Sequence, residues 1–350
     1  MANAIFNNIC VSGIACAVPK EVQKTIEYES EVGTEEVREF MDMTGVQQRH
    51  VSIKEQTSSD LCYVAADRLL SEKQIDRNSI DAIIFYTQYP DYSTPATAHV
   101  LHKRLGLPPN CMAFDVNLGC SAYVYGLYLA STMLQSSNIN RILVLVGDVA
   151  DRNPEILLKK QMLFGSAGSA TLIESGDTTM KCLLKADGEG YSALITPGGR
   201  ARNPIIEPQN YWKETVSTMD GIAVYEFTIT QVPKSFKEFF KLYETSVEDY
   251  DYCILHQANY YMLKHIAKKI KLPLEKMPIT IDRYGNTAGS SAPLTIVDLC
   301  QEKEVPEKLN LITAGFGIGL SWGVVSFEID SKNVLPMIIT DDYYKEAYRG

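Results

Sequence analysis

The chain is short of positive charge: 33 Lys and Arg stand against 43 Asp and Glu, a formal net charge of −10. That balance argues against a nucleic-acid or anionic-membrane binder, while leaving room for a local basic patch that receives an acidic partner. No Cys-x-x-Cys pair occurs among the eight cysteines (10, 16, 62, 111, 120, 182, 253 and 300), so neither a zinc site nor a thioredoxin-type site is indicated. Most of them sit inside apolar runs, as reduced core thiols of a cytoplasmic protein do. The N-terminus lacks the basic region and long apolar core of a signal peptide, and no apolar run approaches the length that spans a bilayer. What remains is an ordinary soluble composition, 45% hydrophobic and 22% charged, in 350 residues that suffice for two domains or two large halves.

The apolar pattern predicts a first strand over Ile9 to Ala17, a capped helix from Thr34 to Met43 stopped by Thr44-Gly45, and a helix from Ser58 to Leu70. A buried strand over Asp81 to Tyr86 follows, then a loop Pro90 to Pro95 and a helix Ala96 to Leu105. Strands are expected at Met112 to Val116, Arg141 to Gly147 and Ala170 to Glu174, with a helix after Cys120. The second half repeats that order. A helix from Val232 to Tyr243 leads to a strand Tyr252 to Leu255, a helix Tyr260 to Ile270, a strand near Pro278 to Ile281 and a helix Ala292 to Leu299. Two strands close it, Leu309 to Thr313 and Trp322 to Ile329. This predicts an internally duplicated α/β fold whose halves, 1–175 and 176–350, meet face to face. Gly188 to Thr218 reads as an irregular excursion or a linker, with Tyr191, Ile205 and Trp212 arguing for packing.

Three loops follow strand ends and carry chemistry. Cys120 sits between small neighbours (Gly119, Ser121, Ala122) where a strand hands over to a helix, and a helix N-terminus favours a thiolate. His256 follows Leu255, and Asn286 lies in Gly285-Asn-Thr-Ala-Gly289. Taken singly, each is more often structural: a core thiol, a core imidazole, a turn residue. In parallel sheets, however, strand C-termini gather ligand sites, and the three types form a coherent set. A sulfur is a nucleophile for acyl transfer, and imidazole and carboxamide N–H groups can hold a thioester carbonyl as it becomes an enolate. Gly315-x-Gly-x-Gly is followed by a strand and not a helix, so it is no dinucleotide fingerprint.

Cys120 with its flanks, His256-Gln-Ala-Asn259, Gly285-Asn-Thr-Ala-Gly289 and Gly315-Phe-Gly-Ile-Gly-Leu-Ser-Trp-Gly323 occur in order. Together with Thr44-Gly-Val-Gln-Gln-Arg-His50 they resemble the β-ketoacyl-acyl carrier protein synthase III family of the thiolase superfamily, over roughly residues 5 to 330. The resemblance implies a thiolase-like five-layer αβαβα fold, a homodimer and decarboxylative Claisen condensation, with fatty acid biosynthesis and a specialised pathway both open. It implies acyl-CoA and malonyl-acyl carrier protein as thioester substrates, with no separate cofactor or metal. Cys120 would carry the acyl group, His256 and Asn286 would hold the enolate, and the backbone N–H groups of Cys120 and Ile318 would form the oxyanion hole. Thr94, Asn259, Phe316, Gly317 and Gly319 would line the substrate path. Phe40, Met43, Leu158, Tyr261, Lys268 and Lys269 would border the groove for CoA or the carrier protein.

Several of those positions depart from the family pattern. Met43 replaces an arginine before Thr-Gly, and Glu39 or Phe40 stands near the stacking tryptophan. Leu158 and Tyr261 align with further arginines, though Lys159 and Lys160 flank the first. Thr94 stands where a phenylalanine is common, and Ile318 is the centre of what is usually a triple glycine. The chemistry set is intact while the CoA grip is altered, which points to condensation with a primer other than acetyl-CoA. Lys264, Lys268, Lys269 and Lys271 offer either a basic face for an acidic carrier protein or a solvated helix face. The tail from Ser331 onward runs past the family's usual end. The competing readings are an acyltransferase that forms an ester or amide, or condenses another nucleophile, with the same triad, and a non-catalytic partner that binds carrier protein. Type III polyketide synthases run longer, and hydroxymethylglutaryl-CoA synthase needs a glutamate base that has no counterpart here.

Overall fold

The computed structural model describes residues 2–136, 138–150 and 158–348; the side chains of 158, 208 and 212 lie outside the described residues. Nine strands among the described residues form one hydrogen-bonded sheet that folds into two leaves. They are β1 (Ala2–Val18), β2 (Ala82–Tyr86), β3 (Met112–Val116), β4 (Arg141–Asp148), β5 (Ala167–Ala186), β6 (Tyr252–Leu255), β7 (Lys308–Gly317), β8 (Ser321–Asp330) and β9 (Ile338–Ile339). The main helices are α1 (Thr34–Thr44), α2 (Ser58–Glu72), α3 (Thr97–Arg104), α4 (Ala122–Leu134), α5 (Gly221–Tyr243), α6 (Tyr260–Ile270) and α7 (Ser291–Glu302).

The first leaf runs β3-β2-β4-β5-β1: β2 pairs in parallel with β3 and β4, and the remaining pairs are antiparallel. The second runs β6-β7-β8-β5 with the same parallel-then-antiparallel sequence. Both β1 and β5 are long enough to serve both leaves. Their ladder shifts register where Ile9 faces Ser175 and Thr178 together, the kind of bulge that turns a strand pair. The division expected at 175/176 thus falls inside a continuous strand, and no linker separates the halves.

Three apolar layers explain the stacking. Leu61, Leu69 and Leu101 of α2 and α3 pack on Ile83, Leu143 and Leu172 outside the first leaf. Phe236 and Phe239 of α5 and Leu263 and Ile266 of α6 pack on Leu255, Ile312 and Val324 outside the second. Between the leaves lie α4 and α7, with Tyr123, Val124, Leu127, Leu294 and Val297 in one cluster with both sheets. The order is helix, sheet, helix, sheet, helix, the five-layer αβαβα architecture. Burying side chains of this size stabilises by about 1.5–3 kcal/mol each, so the double-sided middle layer dominates the contact between halves.

Local signals set most boundaries. Helix α1 stops at Gly45, whose φ of 82° closes the last turn. Thr57 and Asp60 form a capping box for α2, one residue before the serines expected to cap it. Helix α5 starts eleven residues before Val232, because Asp220 accepts the N–H groups of Ile222 and Ala223 and Pro233 is carried inside the helix. The strand expected near Pro278 to Ile281 is absent. That segment has no ladder partner among the described residues, and Thr280, with ψ at −7°, turns it into a short helix, Ile281–Tyr284. In the 188–218 excursion Tyr191 is 64% exposed, against the expectation that it packs, while Ile205 is part-buried and Trp212 lies outside the described side chains.

The tail is built into the first half. β9 pairs in parallel with Ala17 and Val18, and Gln56 Nε2 donates to the carbonyls of Thr340 and Asp342. The Tyr344 N–H donates to Asp60, and its ring lies 4.7 Å from the Arg104 guanidinium.

Candidate active site

Cys120 lies two residues before α4, just past the end of β3. Two glycines let β7 approach it. A Cβ on Gly317, at the end of β7, would stand 3.0 Å from the Cys120 sulfur, and one on Gly315 would stand 3.0 Å from its carbonyl oxygen. The strand end that touches Cys120 also carries Phe316, whose ring meets the His256 imidazole edge-on at 5.3 Å. Cys120 and His256 are thus joined through one dipeptide.

His256 follows β6 and is 2% exposed; its backbone N–H bonds the Ala314 carbonyl of β7. Burial lowers its pKa to about 3, so the imidazole is neutral. Nδ1 lies 2.7 Å from Ser291 Oγ, which is also 2.9 Å from the Ala288 carbonyl and 3.3 Å from the Gln257 N–H. A hydroxyl has one hydrogen to give. Given to Ala288, it makes Nδ1 the donor and leaves Nε2 a bare acceptor; given to Nδ1, it leaves Nε2 the donor.

Asn286 is 6% exposed and locked at the backbone, its N–H donating to the Leu163 carbonyl and its carbonyl accepting the Gly165 N–H. Its Oδ1 accepts the Ala288 N–H at 2.9 Å, and Nδ2 donates to the carbonyl of Ala258 at 3.4 Å. Ala258 is two residues past His256, so the two loops touch. One Nδ2 hydrogen is left for a ligand. The structure therefore brings Cys120, His256 and Asn286 to one place.

The thiol does not follow the helix-terminus expectation. Burial, then the negative charge of Asp148, push Cys120 up to about 12, against the N–H groups of Cys120 itself and of Ile318, which favour the anion. Desolvation outweighs the helix end, and the resting sulfur is a thiol. The Ile318 N–H nevertheless reaches the sulfur, so the isoleucine at the usual glycine position keeps its donor in place. Gly319, at φ 138°, turns the chain there, and the Ile318 carbonyl accepts from Ser321 Oγ at 2.6 Å.

The outer positions fare differently. Asn259 spends its side-chain oxygen capping α6 through the Met262 N–H at 2.8 Å. Phe40 is 6% exposed and packs with Val37, Val46, Met162 and Ile281, so it is a core residue and offers no ring face to a groove. Met43 and Tyr261 are exposed at 57% and 47%, and Tyr261 stacks on Tyr225 and meets His265 edge-on. Lys268 and Lys269 are exposed on α6, Lys269 donating to the Ile229 carbonyl. Lys160 bonds the Ser217 carbonyl; Leu158 opens a short helix, with its side chain outside the described residues. Thr94 is exposed and is not among the residues lining the crevice beside Leu118. That crevice, about 620 Å³ and mostly apolar, is bounded by Tyr86, Val116, Leu118, Tyr125, Leu129 and Leu184 among others.

Sequence reasoning missed Ser291, Ser321, Gln88 and Asp148. Ser291 opens the helix after the Asn286 loop, a position that reads as a cap. Nothing in Val146-Gly-Asp148 distinguishes a buried carboxyl from a strand-end acid facing water. No group of three His, Cys, Asp or Glu able to hold a metal occurs among the described residues.

The family 3-oxoacyl-[acyl-carrier-protein (ACP)] synthase III matches residues 114–188, and its C-terminal part matches residues 241–329. A solved 3-oxoacyl-(acyl-carrier protein) synthase from Burkholderia xenovorans superposes with a TM-score of 0.89 at 33% identity, over 97% of this chain and 99% of that one. The β-ketoacyl-[acyl-carrier-protein] synthase III of Clostridium acetobutylicum is 30% identical over 324 residues, 91% of this chain and 97% of the relative. The enzyme of that name from Streptococcus suis is 30% identical over 331 residues, 92% and 99% of the two chains.

Proposed function

Since the chain belongs to the 3-oxoacyl-[acyl-carrier-protein] synthase III family of condensing acyltransferases, we propose that it joins an acyl thioester to malonyl-acyl carrier protein by decarboxylative Claisen condensation. In the first step the Cys120 sulfur attacks the acyl carbonyl and the donor thiol departs, leaving an S-acyl cysteine. The sulfur is a thiol at rest, so its proton must leave as the C–S bond forms. His256 with Nε2 bare is the base at hand, and it returns the proton to the departing thiolate. In the second step malonyl loses carbon dioxide, and its electron pair moves onto the thioester oxygen. For this step the His256 proton sits on Nε2, with Nδ1 accepting the Ser291 hydroxyl, so that Nε2–H and the Asn286 N–H donate to that oxygen; the enolate carbon then attacks the acyl-Cys120 carbonyl, whose oxyanion meets the N–H groups of Cys120 and Ile318. Collapse releases the β-ketoacyl product and the Cys120 thiolate, which takes up a proton.

The observation that carries this reading is the Phe316–Gly317 strand end, which lies against the sulfur on one side and the imidazole on the other. A neutral imidazole suits an enolate, because an imidazolium would protonate it. The 620 Å³ crevice beginning two residues from Cys120 is where we seat the acyl chain. Acyl-CoA and acyl carrier protein are the thioester carriers we assign, with Lys264, Lys268 and Lys269 of α6 facing the acidic partner. We also assign a homodimer: β3 is an edge strand with one unpaired side and part-exposed side chains, a ready template for a second copy. Eight free thiols suit the cytoplasm, and no helix of the described residues is long and apolar enough to cross a membrane.

Intact-protein mass spectrometry with a panel of acyl-CoAs and acyl carrier proteins tests the first step. A mass gain is expected on the native protein and none on Cys120→Ala. Adding malonyl-acyl carrier protein should then release carbon dioxide and form a C–C bond. An ester or amide product would overturn condensation, and no acylation by any donor would leave only a carrier-protein-binding role.

A further inference from the structure

Asp148 ends β4, is 3% exposed and stands near enough to Cys120 for its charge to act on the thiol. The condensation chemistry gives it no part. Its partners come from two separate segments. Oδ1 accepts the Gln88 N–H at 2.9 Å and Thr87 Oγ1 at 3.2 Å, and Oδ2 accepts Gln88 Nε2 at 3.3 Å. The Gly289 N–H, from the Asn286 loop, bonds the same carboxyl. Gln88 and Gly289 in turn close on the residue before the nucleophile. A Cβ on Gly119 would meet the Gln88 carboxamide at 2.8 Å, and a Cβ on Gly289 would meet the Gly119 carbonyl oxygen at 2.7 Å. One buried carboxyl therefore ties the loop after β2 and the Asn286 loop around the base of Cys120.

We propose that Asp148 is a positioning residue for acyl transfer: its carboxyl fixes Gln88 and the Gly289 amide around Gly119, and so holds the Cys120 sulfur against the Gly317–Gly319 turn. The inference rests on Cys120 being the nucleophile. Asp148 is a poor candidate for mere filler, since a buried carboxyl is costly unless its acceptors are used, and here four donors converge on it. Its charge adds a second effect. Burial raises its pKa to about 7, so it is anionic throughout the range in which Cys120 loses its proton. The titratable groups that face it among the described residues are Cys120, from the turn before α4, and Cys62, from α2. A carboxylate beside the sulfur keeps the thiol protonated until an acyl donor arrives.

The test is the pH profile of Cys120 alkylation by iodoacetamide, read by peptide mass spectrometry on the full chain, in Asp148→Asn against the native protein. This readout needs no knowledge of the acyl donor, so it stands even if the proposed reaction fails. Removing the negative charge lowers the thiol pKa, and each unit of downward shift raises the alkylation rate at a fixed alkaline pH about tenfold. Acylation by whichever donor labels the native enzyme should slow at the same time, because Asn has one acceptor oxygen where the carboxylate has two and cannot keep all four donors. An unchanged alkylation profile in folded Asp148→Asn, even with a lowered melting temperature, overturns the proposal. Should that variant not fold, Gln88→Met removes the carboxamide from Gly119 while leaving the carboxyl intact. It should lower kcat with KM for the carrier protein unchanged; a native kcat in Gln88→Met overturns the proposal equally.

Discussion

The two halves of this chain are built alike and do different work. In the first, β2 runs out into Thr87-Gln88 and β3 leads to Cys120; in the second, β6 runs out into His256 and the segment after Met277 leads to Asn286. Each of these junctions delivers one polar group to the same small volume. Gln88 is the topological counterpart of His256, and Cys120 of Asn286. The first half thus offers a sulfur with its carboxamide and carboxylate supports, and the second offers neutral N–H groups. The difference lies in how each is held. Cys120 is hemmed in by glycine contacts from β7 and from the Asn286 loop, whereas His256 and Asn286 are held by hydrogen bonds to Ser291, Ala258 and the backbone. One consequence is that both titratable members are neutral at rest, for the same reason. Burial drives the thiol up to about 12 and the imidazole down to about 3.

That division predicts separable defects. Asn286→Ala should leave acylation of Cys120 intact and reduce condensation on the order of 10²–10³-fold, the usual cost of one lost donor to a developing oxyanion. Stopped-flow acylation beside product formation by chromatography distinguishes the two. If Asn286→Ala blocks acylation as well, the halves do not divide the chemistry as argued. The next largest effect tests their contact. Gly289→Ala would force a methyl to within 2.7 Å of the Gly119 oxygen, 2.8 Å of Val146 and 2.9 Å of Ala122. Overpacking of this kind costs about 1–3 kcal/mol, and urea unfolding should show it as a lower midpoint with an unchanged slope.

Much of this arrangement is legible in the sequence, and the exceptions have physical causes. The parallel strands of the first half, Ala82–Tyr86, Met112–Val116 and Arg141–Asp148, read from their apolar runs, because strands of a covered parallel sheet carry near-continuous hydrophobic sequence. The segment at 278–281 has the same apolar look, yet it forms no ladder because it passes at once into Ile281–Tyr284. The strand Ala167–Ala186 was legible only in its first part; its polar middle, Glu174 to Thr179, reads as a boundary and is in fact the bulge where the strand changes leaf. Side-chain placement is legible where a loop at a strand end carries the residue, as with Cys120, His256 and Asn286. It is not where burial alone confers the role. Phe40 and Asp148 show the two errors, a ring assigned to a groove that lies in the core and an acid passed over that is buried near Cys120.

Ser291 sharpens the comparison further, since it is the second half's own support for His256 and has no sulfur to constrain. Ser291→Ala removes the partner of Nδ1, and the loss of one buried hydrogen bond, about 0.5–1.5 kcal/mol, corresponds to a slowing of up to about tenfold. Both steps should slow together, because both use the imidazole, while the alkylation profile of Cys120 stays native. A change in that profile would place Ser291 with the first half's supports.

The smallest effect concerns an asymmetry outside the site. Only the first half carries the tail, whose Tyr344 ring lies against Arg104, which also stacks on Tyr63 at 4.2 Å and pairs with buried Asp60 at 2.8 Å. Arg104 therefore keeps its carboxylate and one ring without the tail. Tyr344→Ala should cost only about 0.5–1 kcal/mol, the range for a cation–ring contact near the surface. The loss should appear as faster amide exchange in α2 and α3, with α5 and α6 unaffected. Equal exchange in both outer layers would mean that the tail stabilises the molecule as a whole. Confinement to α2 and α3 would show that the halves, for all their shared strands, loosen separately.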